Sequence, residues 1–195
     1  MKKTFLLATI LFISVISTAC INNFAVQELN NKAKAYMDKG DYSSAIERLK
    51  SSVDLDDSLF ETHYNLAVAY TQAEDYENAM HSYNKAIKLN PDFADSYYSL
   101  AVCEENLAKD IISFRLSVDE DGNIQKPEVS AENSDEVSTE EKKLSEPAIK
   151  KITELLNNAK EDYGLYLDKS QNPSEEEAIK NKTEELNSLL EKHAK

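Results

Sequence analysis

Three histidines, two cysteines and one acidic run are the residues of this 195-residue chain whose types could do chemistry, and their spacing limits what that chemistry is. His63, His81 and His193 each stand more than four residues from any other histidine or cysteine, so no zinc-type pair falls on one helical turn. The run Asp119-Glu120-Asp121-Gly122-Asn123 approaches a calcium-binding loop, but such a loop needs glycine at its sixth place and a bidentate acid at its twelfth. Ile124 and Ser130 stand there. The serines include no Gly-x-Ser-x-Gly elbow, and 3 glycines in the whole chain leave none for a phosphate-cradling loop. Acid pairs such as Glu74-Asp75 read as turn and solvated-face residues. The expectation is a protein that is not an enzyme, with no catalytic residues, no metal and no cofactor.

The elements that position these residues are legible in a spacing. Ala33, Ala67 and Ala101 fall at steps of 34, as do Tyr36 and Tyr70, Tyr42 and Tyr76, Ala45 and Ala79, and Leu55 and Leu89. A period of this length belongs to a helix-turn-helix unit that stacks on copies of itself. Within one copy, Leu29, Ala33, Tyr36 and Met37 recur at helical spacing, and Ala45, Ile46, Leu49 and Val53 do so again beyond a turn. Gly40 stands where the first helix ends and can supply its left-handed cap, with Glu74 in the same place one copy later. Few glycines, no tryptophan and 30% charged residues suit helices with wet outer faces.

The clearest copy, Phe60 to Phe93, reads FETHYNLAVAYTQAEDYENAMHSYNKAIKLNPDF. It resembles the tetratricopeptide repeat (TPR) in Asn65-Leu66-Ala67 and Tyr70, in the turn Glu74-Asp75-Tyr76, in Ala79, Tyr83 and Ala86, and in the closing Leu89-Asn90-Pro91. The copy before it, 26–59, keeps the register but has Asp57 where the family usually places proline. A third copy starts at Ala94 with Tyr97, Leu100 and Ala101, and only its first helix is supported, so the stack is read as 26–116. The fold expected is all-α: a short TPR stack of about two and a half repeats, a flexible acidic linker and a C-terminal helix pair.

Residues 1–19 read as a signal peptide, with basic Met1-Lys2-Lys3, an apolar run from Phe5 to Ile16 and the small residues Ser17-Thr18-Ala19. Cys20 follows, in a context similar to a bacterial lipobox although Ser17 holds a place usually given to a branched aliphatic residue. By that resemblance Cys20 is lipidated and 20–25 is a short tether to a membrane. An ordinary cleavage would instead leave Cys20 as a free thiol. No aspartate follows Cys20, which by resemblance to the sorting rule of enteric bacteria implies the periplasmic side of the outer membrane in a two-membraned cell. The net charge of −14 grows by two once Lys2 and Lys3 leave with the leader, so nucleic acid is not expected as a partner. Cys103 reads as a small core residue.

Beyond Asn106 the helix continues to Ile112, after which Phe114, Leu116 and Val118 alternate with polar residues and Asp121-Gly122-Asn123 reads as a turn. Residues 117–144 read as an acidic linker with a marginal hairpin at its start. Pro147 opens a helix whose apolar face is Ile149, Ile152, Leu155, Leu156, Ala159, Tyr163 and Tyr166. After Asn172-Pro173, Ser174 with Glu177 forms a capping box for a last helix bearing Ala178, Ile179, Leu186, Leu189 and Leu190. A stack of repeats needs atypical helices to seal its ends, so 145–195 is expected to dock as the missing half of the third repeat plus a cap.

By resemblance, the first helix of each repeat lines an inner groove. The positions implied are Asn30, Lys34 and Asp38, then Tyr64, Asn65, Val68 and Gln72, then Asp95, Tyr98, Val102 and Glu105. One branch of the family grips a carboxylate terminus with Lys, Asn and Arg; Lys34 and Asn65 match it, but Asp95 and Ser99 stand where later basic residues belong, so that clamp is not implied. The function expected is a protein-protein interaction scaffold of the bacterial cell envelope, membrane-bound through Cys20 and binding a protein or peptide in the groove. The alternative is a self-associating, homo-oligomeric structural protein.

Overall fold

The computed structural model describes residues 23–126, 143–170 and 172–193. Residues 1–19, expected to be a signal peptide, Cys20, residues 127–142 of the expected acidic linker and the side chain of His193 lie outside the described residues. Seven helices and one two-stranded hairpin are present among the described residues, in two compact units that divide between Asp92 and Phe93.

The first unit holds α1 (23–37), α2 (Tyr42–Leu55), α3 (Phe60–Gln72) and α4 (Tyr76–Leu89). Both of its helix-turn-helix copies close in the same way. The amide of Asp41 donates to the Tyr36 carbonyl at 3.0 Å, and the amide of Asp75 donates to the Tyr70 carbonyl at 2.9 Å. This closure requires a left-handed residue, supplied by Gly40 at φ 73° and by Glu74 at φ 58°. Glu74 adopts that conformation despite its Cβ, at a cost of about 1–2 kcal/mol. Asp41 and Asp75 then cap α2 and α4 through the amides of Ser44 and Asn78.

Close helix approach requires small side chains, and Ala33, Ala45, Ala67, Ala69, Ala79 and Ala86 are fully buried. Ala33, Ala45, Leu49, Leu66 and Ala69 form a core flanked by Tyr36, Met37, Ile46, Val53 and Tyr70. His63, at 6% exposure, bonds through Nε2 to the Asp57 carbonyl at 2.9 Å, while the Asp57 carboxylate lies 3.6 Å from Lys85. The turn between the first two copies, which lacks the family's proline, is thereby tied to α3 and α4.

The second unit holds α5 (Ala94–Ile112), β1 (Ser117–Val118), β2 (Ile124–Gln125), α6 (Glu146–Ser170) and α7 (Pro173–His193). α5 ends where its carbonyls fold back onto left-handed Phe114: the amides of Arg115 and Leu116 both donate to the Asp110 carbonyl, and the Arg115 guanidinium donates to the buried Asp110 carboxylate. β1 pairs antiparallel with β2, Ser117 opposite Gln125 and Val118 opposite Ile124. The hairpin is not isolated, since β1 packs on α6 and Val118 is buried. Its turn is held by Asp119, whose carboxylate accepts from the amides of Asp121 and Asn123 and from the side chains of Asn123 and Gln125. Among the described residues, no group of three or more His, Cys, Asp or Glu side chains is placed to hold a metal ion.

α6 packs along α5, and α7 packs on α6. The buried stripe of α6 is Ala148, Ile152, Leu155, Leu156, Ala159, Tyr163 and Tyr166, so Ala148 takes the place expected for Ile149. On α7 the buried residues are Ile179 and Leu186, while Ala178 is exposed. That helix starts at Pro173, one residue ahead of the expected cap at Ser174, because Asn172 accepts from both the amide and the hydroxyl of Ser174. No described helix is long and apolar enough to cross a membrane.

Candidate functional site

In the first unit, the expected groove positions separate into an outward set and one inward residue. Lys34, Asp38 and Gln72 are exposed, and Tyr64, Asn65 and Val68 are half-buried. Residues 64, 68 and 72 are four apart, so they form one stripe along α3. The Tyr64 ring meets Tyr83 of α4 edge-on, with centroids 5.9 Å apart and planes at 62°, which fixes its orientation while part of its surface stays open.

Asn30 instead serves the interior. Its amide nitrogen donates to the Val26 carbonyl (2.9 Å), the Ser52 hydroxyl (2.8 Å) and the Thr62 hydroxyl (3.1 Å), joining α1, α2 and α3. Ser52 and Thr62 are 0% and 1% exposed, so Asn30 satisfies polar groups that water cannot reach. The positions one repeat later are Tyr64, Ala86 and Ser96, so the trio has no periodic counterpart to reveal it.

In the second unit, Asp95, Tyr98, Val102 and Glu105 follow one face of α5, and that face changes character along its length. Asp95 is exposed, Tyr98 is 37% exposed, Val102 is half-buried and Glu105 is 3% exposed. Helices α6 and α7 cover its far end. Glu105 accepts from Lys109 Nζ (2.5 Å), from Lys182 Nζ (2.5 Å) and from the Tyr163 hydroxyl (2.8 Å). Burial pushes its carboxyl up, but the bonds from Lys109, Lys182 and Tyr163 outweigh that and hold it below the ordinary glutamate value. Tyr163, fully buried and bonded to a carboxylate, is pushed well above the usual tyrosine range, first by burial and then by that bond.

The neighbouring Glu104 has the opposite environment. It is 5% exposed, and its Oε2 has no hydrogen-bond partner among the described residues. Burial, with the charge of Asp162 adding to it, raises the carboxyl to about 8, partly offset by a bond to Asn158. Burial and the nearby Glu161 raise Asp162 to about 7. Two adjacent residues of α5 thus hold one carboxylate that stays ionised and one carboxyl that stays protonated at neutral pH.

The near end of the α5 face opens into a cavity of about 470 Å³, lined by Asp95 and Tyr98 of α5, Tyr166 of α6, and Glu175, Ala178, Ile179 and Lys182 of α7. Of these, only Asp95 and Tyr98 were legible as site residues. The others come from a helix pair far away in sequence, whose apolar stripe is readable but whose partner surface is not.

Three family models match overlapping stretches of the chain. Residues 33–73 match "TPR repeat", and 60–93 and 82–111 each match "Tetratricopeptide repeat". No curated protein matches the chain. Among solved structures, the first TPR of Spaghetti (RPAP3) bound to the HSP90 peptide SRMEEVD is similar at a TM-score of 0.56 and 19% identity, covering 85% of this chain and 92% of that one. The first TPR domain of human RPAP3 gives 0.57 at 18% identity over 87% and 94%, and the Arabidopsis OM64 TPR domain gives 0.55 at 13% over 86% and 98%. At these identities the likeness is one of fold.

Proposed function

Because residues 33–111 carry tetratricopeptide repeats, we propose that the protein is an interaction scaffold of the bacterial cell envelope, which presents the first helices of its repeats to a peptide or partner protein. The observation that carries this reading is the stripe on α3. Tyr64, Val68 and Gln72 share one face with Asn65 beside them, and Tyr64 is oriented by Tyr83 while remaining half-open. A rigid, partly exposed aromatic ring on a fixed helix loses little entropy on binding, and tyrosine is among the residues that dominate interface energies. A structural relative of like fold holds a peptide, the HSP90 segment SRMEEVD, which supports a peptide or protein as the class of partner.

The envelope setting is supported by the basic start at Lys2-Lys3, the apolar run to Ile16 and Cys20 immediately after Ala19. A lipid on Cys20 would keep the repeats within a short tether of the bilayer. The experiment is a pull-down from detergent-solubilised envelope with the mature chain, alongside Tyr64→Ala. The reading expects a partner that the wild type retains and the variant loses; recovery of nothing above background sinks it.

Phe24 and Leu55, at 72% and 42% exposure, favour a second reading in which such apolar positions pair with another copy. Sedimentation of the mature chain separates the two, because a concentration-dependent dimer supports self-association and a monomer at all concentrations removes it.

A further inference from the structure

The cavity beside Tyr98 has a composition that selects its occupant. Its volume, about 470 Å³, falls within the range of ligand clefts, roughly 300–1,000 Å³. Tyr98 is held by Tyr163 (centroids 5.7 Å apart, planes at 64°) and by Tyr166 (5.2 Å, 56°), and 37% of the residue remains open. Asp95 precedes it by one turn on the same helix face. Glu175, in the first turn of α7, accepts a hydrogen bond from the Tyr166 hydroxyl. Neither Asp95 nor Glu175 forms an ion pair with a described residue. Ala178 and Ile179 supply an apolar floor.

Among the described residues, Lys182 is the one cation lining the cavity, and its charge is already committed. Its ammonium lies 2.5 Å from Glu105 and 5.3 Å from the centroid of the Tyr163 ring. Glu105 is shared with Lys109, which lies 3.4 Å from Glu185, so two acids and two bases cancel within that network. What remains at the cavity is two uncompensated carboxylates around the open part of a tyrosine. An anion entering there meets Asp95 and Glu175 on a chain of net charge −14. A cation meets two counter-charges and an electron-rich ring.

We infer that this cavity binds a cationic side chain, the ammonium of lysine or the guanidinium of arginine, presented by a basic segment of a partner protein. The inference rests on the scaffold reading and names the chemistry of the partner. The cation sits over the Tyr98 ring with its hydrocarbon stem along Ala178 and Ile179, and Asp95 and Glu175 neutralise it.

The test is fluorescence anisotropy with the mature chain and a labelled peptide of alternating alanine and lysine, beside a peptide with glutamate in place of lysine. The lysine peptide is expected to bind and the glutamate peptide to stay free. The double variant Asp95→Asn, Glu175→Gln is expected to lower affinity about tenfold, and Tyr98→Leu about fivefold, with Tyr98→Phe restoring it because the ring face is kept. The control Glu61→Gln, Glu77→Gln removes the same charge from exposed helix starts of the first unit and is expected to leave affinity within about twofold. Equal losses in the two double variants would reduce the effect to general attraction and overturn the site, as would tighter binding of the glutamate peptide. If the lysine peptide stays free while the envelope pull-down recovers a Tyr64-dependent partner, this inference fails alone. If the pull-down recovers nothing while peptide binding still depends on Tyr98, the scaffold reading fails and the cavity stands.

Discussion

Replacing Glu105 by glutamine should destabilise the second unit by about 3 kcal/mol at neutral pH, and the structure divides that figure into parts. The carboxylate is 3% exposed and takes three donors, so removing its charge while keeping its shape probes polar energy and not packing. The Tyr163 hydroxyl exchanges a bond to a charged acceptor for one to a neutral acceptor, a loss of about 1 kcal/mol. Lys109 and Lys182 lose a counter-charge, but their side chains are 41% and 31% exposed and turn toward water, so together they contribute about 1 kcal/mol. The groups bonded to the carboxylate are all donors, so the new amide hydrogens find no acceptor at this buried position, which costs about 1 kcal/mol more.

For a unit of about 100 residues each kcal/mol moves the midpoint by about 4–8 °C, well within the reach of thermal melts followed by circular dichroism. A double-mutant cycle with Tyr163→Phe should return a coupling of at least about 0.5 kcal/mol, as expected for residues in one hydrogen-bonded network. The loss should shrink in acid. Because the folded Glu105 carboxyl lies below its ordinary value of 4.5, its stabilisation is present above that pH and disappears as pH falls through the folded value. A glutamine variant within about 0.5 kcal/mol of the wild type at neutral pH, or one whose deficit is the same in acid, refutes the reasoning.

Glu104 has the opposite sign: its folded carboxyl, at about 8, lies above the unfolded 4.5, so its contribution is full below pH 4.5 and is lost as pH rises toward 8. Asp162 acts in the same direction up to about 7, and Glu104→Gln should flatten the decline in urea-melt stability across that window; an unchanged slope contradicts the assignment. Glu74→Gly should stabilise the first unit by about 0.5–1 kcal/mol, since relief of the left-handed strain exceeds the entropy glycine adds to the unfolded chain, and a lowered urea midpoint would contradict it. Asn30→Ala should cost about 1–2 kcal/mol by leaving the Ser52 and Thr62 hydroxyls to find other partners, whereas a neutral result would mean that the trio adds nothing. Cys20→Ser should move the protein from the membrane to the soluble fraction, and unchanged fractionation would remove the anchor.

The repeat was legible because its physics is local. A step of 34 residues places Ala33 and Ala67 where helices touch, and both are fully buried. The turns were legible too: Gly40 marks a left-handed residue, and Glu74, which no propensity would select, is pulled into the same conformation by the repeated turn bonds around it. The apolar stripe of α6 was readable from its spacing for the same reason. What could not be read was the partner of each face. Helical spacing groups Asp95 with Glu105, yet Glu105 is closed off by Tyr163 and Lys182, which lie 58 and 77 residues further along the chain. Asn30 was assigned to a groove because its position implied it, and only the placement of Ser52 and Thr62 shows that its amide is used inside. The hairpin looked unsupported because the helix that carries it begins beyond the acidic linker.

The central claim, that the outward stripe of α3 meets a partner protein, is tested most directly by placing a photocrosslinking amino acid at Val68 and irradiating intact cells. His81, exposed on α4, serves as the control position. An adduct of defined mass from Val68 and none from His81 is the predicted result; adducts absent from Val68, or equal at the two positions, would contradict the account.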